Sequence, residues 1–412
     1  MRIHRSLVLI GLAALFSSIA AAQCTQSICQ DGVQASGAKY RICMPEASCY
    51  RGQLAVYAHG YQNPQEPVGI PEDQVTLPDG TSLPGLINQL GFGFVMSSYS
   101  KTGLAVKEGI ADTADAVQIF KTQIGNPSRV YVVGVSEGGL ITAKSVESNP
   151  ALYNGGVAAC GPVGDFPFQI GYFGDWRPLF DFFFPGLLPG NPVAIPQEVI
   201  DNFETVYRPA IEAAILANPT IAQQILAAGN APGTTPAEIL NTHVTLARYN
   251  VLATNDAVQV LNGQPYTNAG KFYTGSGIPL ALNLGVQRFT ADPSATAEMQ
   301  ANYQTTGVLT RPLVTLHTTA DEQVPYRHEQ LYRQKITASG SSALHVNIPA
   351  NRYGHCNFTT GEALASFLIL VLKASGQDLS NDAERLLRTE RDRVEFRRIF
   401  RENRDWAFAG RR

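Results

Sequence analysis

Residues 129–134 (Arg-Val-Tyr-Val-Val-Gly) run without a break into Gly134-Val135-Ser136-Glu137-Gly138-Gly139, and the residues from Gly138 onward read as a helix. A β-branched apolar run with no polar alternation suits a strand buried on both faces. A chain that passes from such a strand into a helix with only three residues between must turn sharply, and glycines beside the serine let neighbouring backbone approach closely. The turn presents Ser136 at the start of the helix, where the first backbone N–H groups have no partner within the helix itself. A chain with this segment needs a buried parallel sheet flanked by helices, and it sets a serine hydroxyl at the rim of that sheet.

The flanking sequence agrees. Residues 38–44, 53–58 and 92–97 read as strands, 104–124 has helical periodicity, and 156–159 reads as the next strand. Strands and helices alternate, which argues for an α/β architecture with a mostly parallel sheet. The rhythm stops near Gly161. Residues 162–305 are rich in Pro and Phe, then helical around 197–228 and 236–262. Alternation resumes with a strand at 312–316, a helix at 327–338, a strand at 344–348 and a helix at 361–374. The expected organisation is therefore a core of residues 23–161 and 306–376, a mostly helical lid insertion at 162–305, and a tail at 377–412. That tail carries Arg385, Arg388, Arg391, Arg393, Arg397, Arg398, Arg401 and Arg404 among acidic residues. It reads as a solvated helix with a narrow apolar stripe of Leu386, Leu387, Val394, Ile399 and Phe400. At 412 residues and 44% hydrophobic content the chain has enough apolar mass for a full core.

The first 22 residues read as a cleavable export signal. Arg2 and Arg5 precede an apolar stretch over 7–16, and Ala20-Ala21-Ala22 offers a small-residue cleavage site. The stretch is short of the roughly 20 residues a membrane span needs, so a secreted or periplasmic protein with no stable membrane insertion is expected. Six cysteines in an exported chain suggest disulfides. Cys24, Cys29, Cys43 and Cys49 admit three pairings, and Cys160 with Cys356 is a candidate long-range pair. No Cys-x-x-Cys or His/Cys cluster indicates zinc. A net charge of −3 argues against nucleic acid as a partner.

A serine hydroxyl needs a base to take its proton. His355, in a Gly354-His355 loop after the last expected strand, lies where the chain order serine, acid, histidine would place it; His317, His328 and His345 read as structural. The acid that orients the imidazole is expected to be Asp321, in the loop after the strand at 312–316, with Glu322 as neighbouring competitor and Asp165 as topological alternative. The oxyanion of an acyl transfer wants two backbone donors. One is Glu137 N–H, and the other comes from the His59-Gly60-Tyr61 loop, with Tyr61 preferred over Gly60. Among the aromatic residues that open the insertion, Phe166, Phe168 and Trp176 are expected to line a substrate pocket.

Taken together, Ala58-His59-Gly60-Tyr61, Gly134-Val-Ser136-Glu-Gly138-Gly139, Thr-Ala-Asp321-x-x-Val-Pro325 and Gly354-His355 resemble the motifs of the α/β-hydrolase superfamily, in particular its secreted bacterial esterases and prolyl-oligopeptidase-like members. The resemblance implies an eight-stranded, mostly parallel sheet with a helical cap between the sixth and seventh strands. It implies ester hydrolysis through an acyl-enzyme on Ser136, with small-molecule or polymeric esters as substrates and no metal or organic cofactor. A serine peptidase of the same triad and a non-catalytic binding protein are the alternatives. A Cys160–Cys356 bridge would pin the histidine loop above the site. Tannase and feruloyl-esterase relatives tether that loop from a cysteine just before the serine, and this chain has Val135 there.

Overall fold

The computed structural model describes residues 24, 26–77 and 79–409; the expected export signal lies outside them. Its centre is a sheet of eight strands: β1 (Ser27–Val33), β2 (Lys39–Pro45), β3 (Gln53–Ala58), β4 (Gly93–Ser97), β5 (Arg129–Val135), β6 (Gly155–Ala159), β7 (Leu313–Ala320) and β8 (His345–Tyr353). They lie in the order β1-β2-β4-β3-β5-β6-β7-β8. β2 runs antiparallel to both of its neighbours, and every pair from β4 through β8 is parallel. This is the eight-stranded, mostly parallel sheet of the α/β-hydrolase fold.

The connections are helical, as parallel strands require. α1 (Leu83–Gln89), α2 (Val106–Gln123) and α3 (Glu137–Ser148) precede β6. Between β6 and β7 the described residues form α4 (Phe166–Phe183), α5 (Gln197–Asp201), α6 (Arg208–Ala217), α7 (Pro219–Gly229), α8 (Pro236–Val260), α9 (Pro279–Gly285) and α10 (Pro293–Glu298). α11 (Arg327–Ala338) joins β7 to β8, and α12 (Thr360–Ser375), α13 (Ser380–Glu384) and α14 (Glu390–Phe408) follow.

Each sheet face is covered by its own layer. Val117 and Phe120 of α2, Ala143 and Val146 of α3, and Tyr332 and Ile336 of α11 pack on one face. Leu86 of α1, Phe367 of α12 and Phe396 and Phe400 of α14 pack on the other. The helices between β6 and β7 form a separate apolar cluster around Trp176, Phe180, Phe203, Ile211 and Leu246.

Two sequence expectations change here. β1 went unread because its side chains lie mostly exposed and give no apolar alternation. Its place is set instead by pairing with β2 and by the Cys29–Cys43 disulfide, whose cysteines sit directly opposite in the register. The Arg-rich tail is not a solvated helix on all sides. Phe396, Ile399, Phe400 and Ala407 are buried against the core, whereas Val394 stays half exposed. Its arginines pair along the surface, Arg398 with Glu395 and Glu402, and Arg397 with Glu390.

Candidate active site

β5 ends in the turn that the glycines were read to permit. Ser136 has φ 57° and ψ −122°, a sparsely populated region for a side-chain-bearing residue. The turn is fixed by Ser136 N–H donating to Ala159 O (2.9 Å) and Gly139 N–H donating to Ser136 O (2.9 Å). A Cβ on Gly134 would sit 2.0 Å from Gly138 O, and one on Gly138 would sit 2.0 Å from Ala58 O. Neither position has room for any other residue.

His355 follows β8, and its loop is tied at several points. Arg352 holds Glu362 through two bonds of 2.7 and 2.8 Å and donates to Asn357 O at 2.9 Å. Cys356 is joined to Cys160 at the end of β6. Cys160 and Cys356 also lie near His355 in an arrangement of possible metal ligands, but both sulfurs are taken up by the bridge. Cys24 is joined to Cys49, which resolves the open pairing of the first four cysteines.

Ser136, His355 and Asp321 form one hydrogen-bonded line. Ser136 Oγ lies 2.9 Å from His355 Nε2, and His355 Nδ1 lies 2.8 and 3.0 Å from the two oxygens of Asp321. Asp321 Oδ1 also accepts the N–H groups of Gln323 (2.9 Å) and Val324 (2.8 Å). Burial alone would raise its carboxyl, but the charges and hydrogen bonds of His355 and His317 outweigh it and hold Asp321 well below the usual carboxylate range. The competing acids face elsewhere: Glu322 accepts from Asn241 at 3.3 Å, and Asp165 accepts from Gln304.

His317 has more than a packing role in this arrangement. Its Nε2 donates to Val324 O (2.8 Å) and lies 3.5 Å from Asp321 Oδ2, while Nδ1 lies 3.1 Å from Glu329 Oε1. Burial disfavours its charge, but Asp321 and Glu329 prevail and push it up to about 10. A cationic imidazole thus backs the carboxylate that faces His355. His317 and Glu329 lie 12 residues apart on a strand and a helix, so no spacing rule connects them. His328 is buried and His345 half-buried; desolvation is the chief cause that lowers the pKa of each, and His328 accepts the N–H of Gly164 at 3.1 Å.

The backbone donors are arranged unequally. The N–H groups of Glu137 and Tyr61 have no acceptor among the described residues. Gly60 N–H donates to Gln74 Oε1 at 2.7 Å, so it is not available to a ligand. Gln74 is 14 residues further along the chain, and no local signal marks it. His59 is buried and stacked on Tyr99, with ring centroids 3.8 Å apart, and so shapes the turn from below. The Glu137 side chain is buried and accepts Ala105 N–H at 2.8 Å; burial pushes its carboxyl up to about 8.

Beside Ser136 lies a small apolar cavity of about 90 Å³ whose walls include Leu104, Leu140, Phe166, Ile170, Phe173 and Tyr249. Of the three aromatics expected to line a pocket, only Phe166 does so. Phe168 packs edge-on against His328, centroids 5.1 Å apart. Trp176 is buried in the helical cluster, stacked on Phe180 and donating to His243 Nδ1 at 3.1 Å. Phe173 and Tyr249, stacked at 4.2 Å, are the lining residues the sequence did not single out. α4 also braces the acid loop, with Gln169 donating to Gln323 O and Tyr172 donating to Glu322 O, both at 2.8 Å.

No protein-family model matches the chain, and no curated protein matches it. Solved structures resemble it in shape. Feruloyl esterase B from Aspergillus oryzae is 15% identical, with TM-score 0.44 over 85% of this chain and 80% of its own. Candida antarctica lipase A is 16% identical, with TM-score 0.41 over 85% of this chain and 77% of its own. The acylaminoacyl peptidase of Pyrococcus horikoshii is 10% identical, with TM-score 0.43 over 87% of this chain; the match spans only 44% of the peptidase.

Proposed function

We propose that the protein is an exported serine hydrolase that cleaves carboxylic esters through an acyl-enzyme on Ser136. The observation that carries this reading is the unbroken line Ser136 Oγ–His355 Nε2 (2.9 Å) and His355 Nδ1–Asp321 Oδ2 (2.8 Å), set at the start of α3 beside an apolar cavity. Ser136 Oγ attacks the ester carbonyl and its proton passes to His355 Nε2. The oxyanion is met by the N–H groups of Glu137 and Tyr61, each worth roughly 3 kcal/mol in the transition state. Asp321 stays ionised and stabilises the imidazolium. The tetrahedral adduct collapses with His355 protonating the departing alcohol. Water, losing its proton to the same nitrogen, then releases the acid. The helical segment 162–305 serves as a cap that brings Phe166, Phe173 and Tyr249 over the serine. An export signal at 1–22, removed on secretion, agrees with three disulfides among the described residues.

A fluorophosphonate probe applied to the mature protein tests the reading. Labelling at Ser136, lost in Ser136→Ala and in His355→Ala, is expected. A folded sample that resists labelling would leave a binding protein with this fold. Matched ester and amide substrates then separate esterase from peptidase, and faster turnover of the ester is expected.

A further inference from the structure

Two unlike cavities meet at Tyr61 and Tyr249, which border both. On one side is the apolar cavity at Ser136. On the other is a cleft of about 1060 Å³ with a mixed, mainly polar wall, in which Gln62, Asn63, Gln65, Asn241 and Gln323 supply side-chain amides. Its charged residues are Glu66, Asp73, Asp201 and Glu204 against Arg208 and Arg248. Both arginines are already paired, Arg248 with Glu204 at 2.6 Å, and Arg208 with Glu204 at 2.9 Å and Glu212 at 2.8 Å. The charge left over is acidic and repels an anionic ligand.

The cleft also abuts the site. Gln74, in its wall, accepts Gly60 N–H, and Gln323, also in its wall, donates its own N–H to Asp321. At this junction the hydroxyl of Tyr61 and Oε1 of Gln62 are buried without a hydrogen-bond partner among the described residues. Buried polar groups are ordinarily paired, and an unpaired one carries a desolvation cost that a ligand group could relieve. Here they stand one residue apart at the wall of a polar cleft. Amides and phenols both donate and accept, and a hydroxyl, which does both through one small uncharged group, can pair with either.

We infer that the substrate joins an apolar acyl group to an uncharged polyhydroxylated alcohol of the sugar class, with the acyl group beside Ser136 and the sugar in the polar cleft. This assignment rests on the serine-hydrolase reading. The scissile bond then lies at the Tyr61–Tyr249 wall, below the N–H of Tyr61. Hydroxyls of the sugar pair with Tyr61 and Gln62 once these side chains turn their buried oxygens toward the cleft, and the arginines stay with their glutamates.

The test compares three butyrate esters on the mature protein: methyl butyrate, 6-O-butyrylglucose and 6-O-butyrylgluconate. The glucose ester is expected to exceed the methyl ester in kcat/KM by tenfold or more, and the anionic gluconate ester to fall below the glucose ester. Gln62→Ala and Asn241→Ala, each checked for an unchanged melting curve, are expected to lower the glucose-to-methyl ratio at least fivefold. Equal rates on glucose and methyl esters, or a ratio that neither variant moves, overturn the assignment. So does a preference for gluconate. If the glucose ester is not turned over, fluorophosphonate decides what has failed. A labelled Ser136 overturns the sugar assignment alone, and an unlabelled one overturns the hydrolase reading beneath it.

Discussion

The strand-end loops and the helices between β6 and β7 meet at Ser136, yet they are built on different terms. Ser136, Asp321 and His355 each follow a strand, and each is fixed by local devices: two glycines with no room for a Cβ, two backbone N–H groups on a carboxylate, and a tethered loop. The helical segment has an apolar cluster of its own and reaches the serine through a few side chains of α4 and α8. On the proposed function, the strand ends would set which chemistry is possible and the helices what enters. Changes in the first region should remove turnover or the fold, and changes in the second should alter selectivity or stability by degrees.

The sharpest contrast is in turnover. Asp321→Asn is expected to lower kcat on a small ester by about 10⁴-fold in a sample whose circular dichroism shows it folded. Phe173→Ala in the cavity wall should change kcat/KM among acyl groups by only about 10- to 100-fold, the range of apolar pocket contacts. A comparable loss from both would erase the distinction. Next in size is a glycine of the turn that holds Ser136. Gly138→Ala forces a Cβ against Ala58 O and should cost about 3 kcal/mol or more in a urea titration.

His317 gives a pH signature. Its folded value near 10 lies above the unfolded value of about 6.5. Its contribution to stability is therefore complete below about pH 6.5 and lost as pH rises through about 10. Glu137, raised to about 8, loses its own contribution as pH rises from about 4.5 to 8. Between pH 8 and 10 the urea midpoint of the wild type should fall, and in His317→Gln that fall should flatten; an equally steep fall in the variant refutes a charged His317. The smallest effect belongs to the helices. A Cβ on Gly171 of α4 meets nothing within 4 Å, so Gly171→Ala should stabilise by about 0.5–1 kcal/mol.

The same division governs what could be read in the sequence. β5 and Ser136 were legible because a doubly buried strand and a tight turn restrict residue type at every position. Asp321 and His355 were legible because they lie in the loops that follow β7 and β8. Gln74, His317 and Glu329 were not, since each acts on the site through a contact that only the folded chain makes. In α4 the aromatic content was visible but its direction was not. Phe166, Ile170 and Phe173 lie at helical spacing on the face toward Ser136. Phe168, two residues from Phe166, turns away to His328, and Trp176, a turn beyond Phe173, has already passed into the helical cluster. β1 was missed for the opposite reason: a disulfide and a register place it, and neither demands an apolar pattern.

The Cys160–Cys356 bridge spans 196 residues of sequence and encloses every helix between β6 and β7 together with the loop of Asp321. A protease that cuts any exposed turn between those two cysteines cannot separate the halves. The nicked molecule would run as a single species until reductant is added, then as two. A cut within the helical segment thus leaves the strand ends that carry Ser136 and His355 covalently joined.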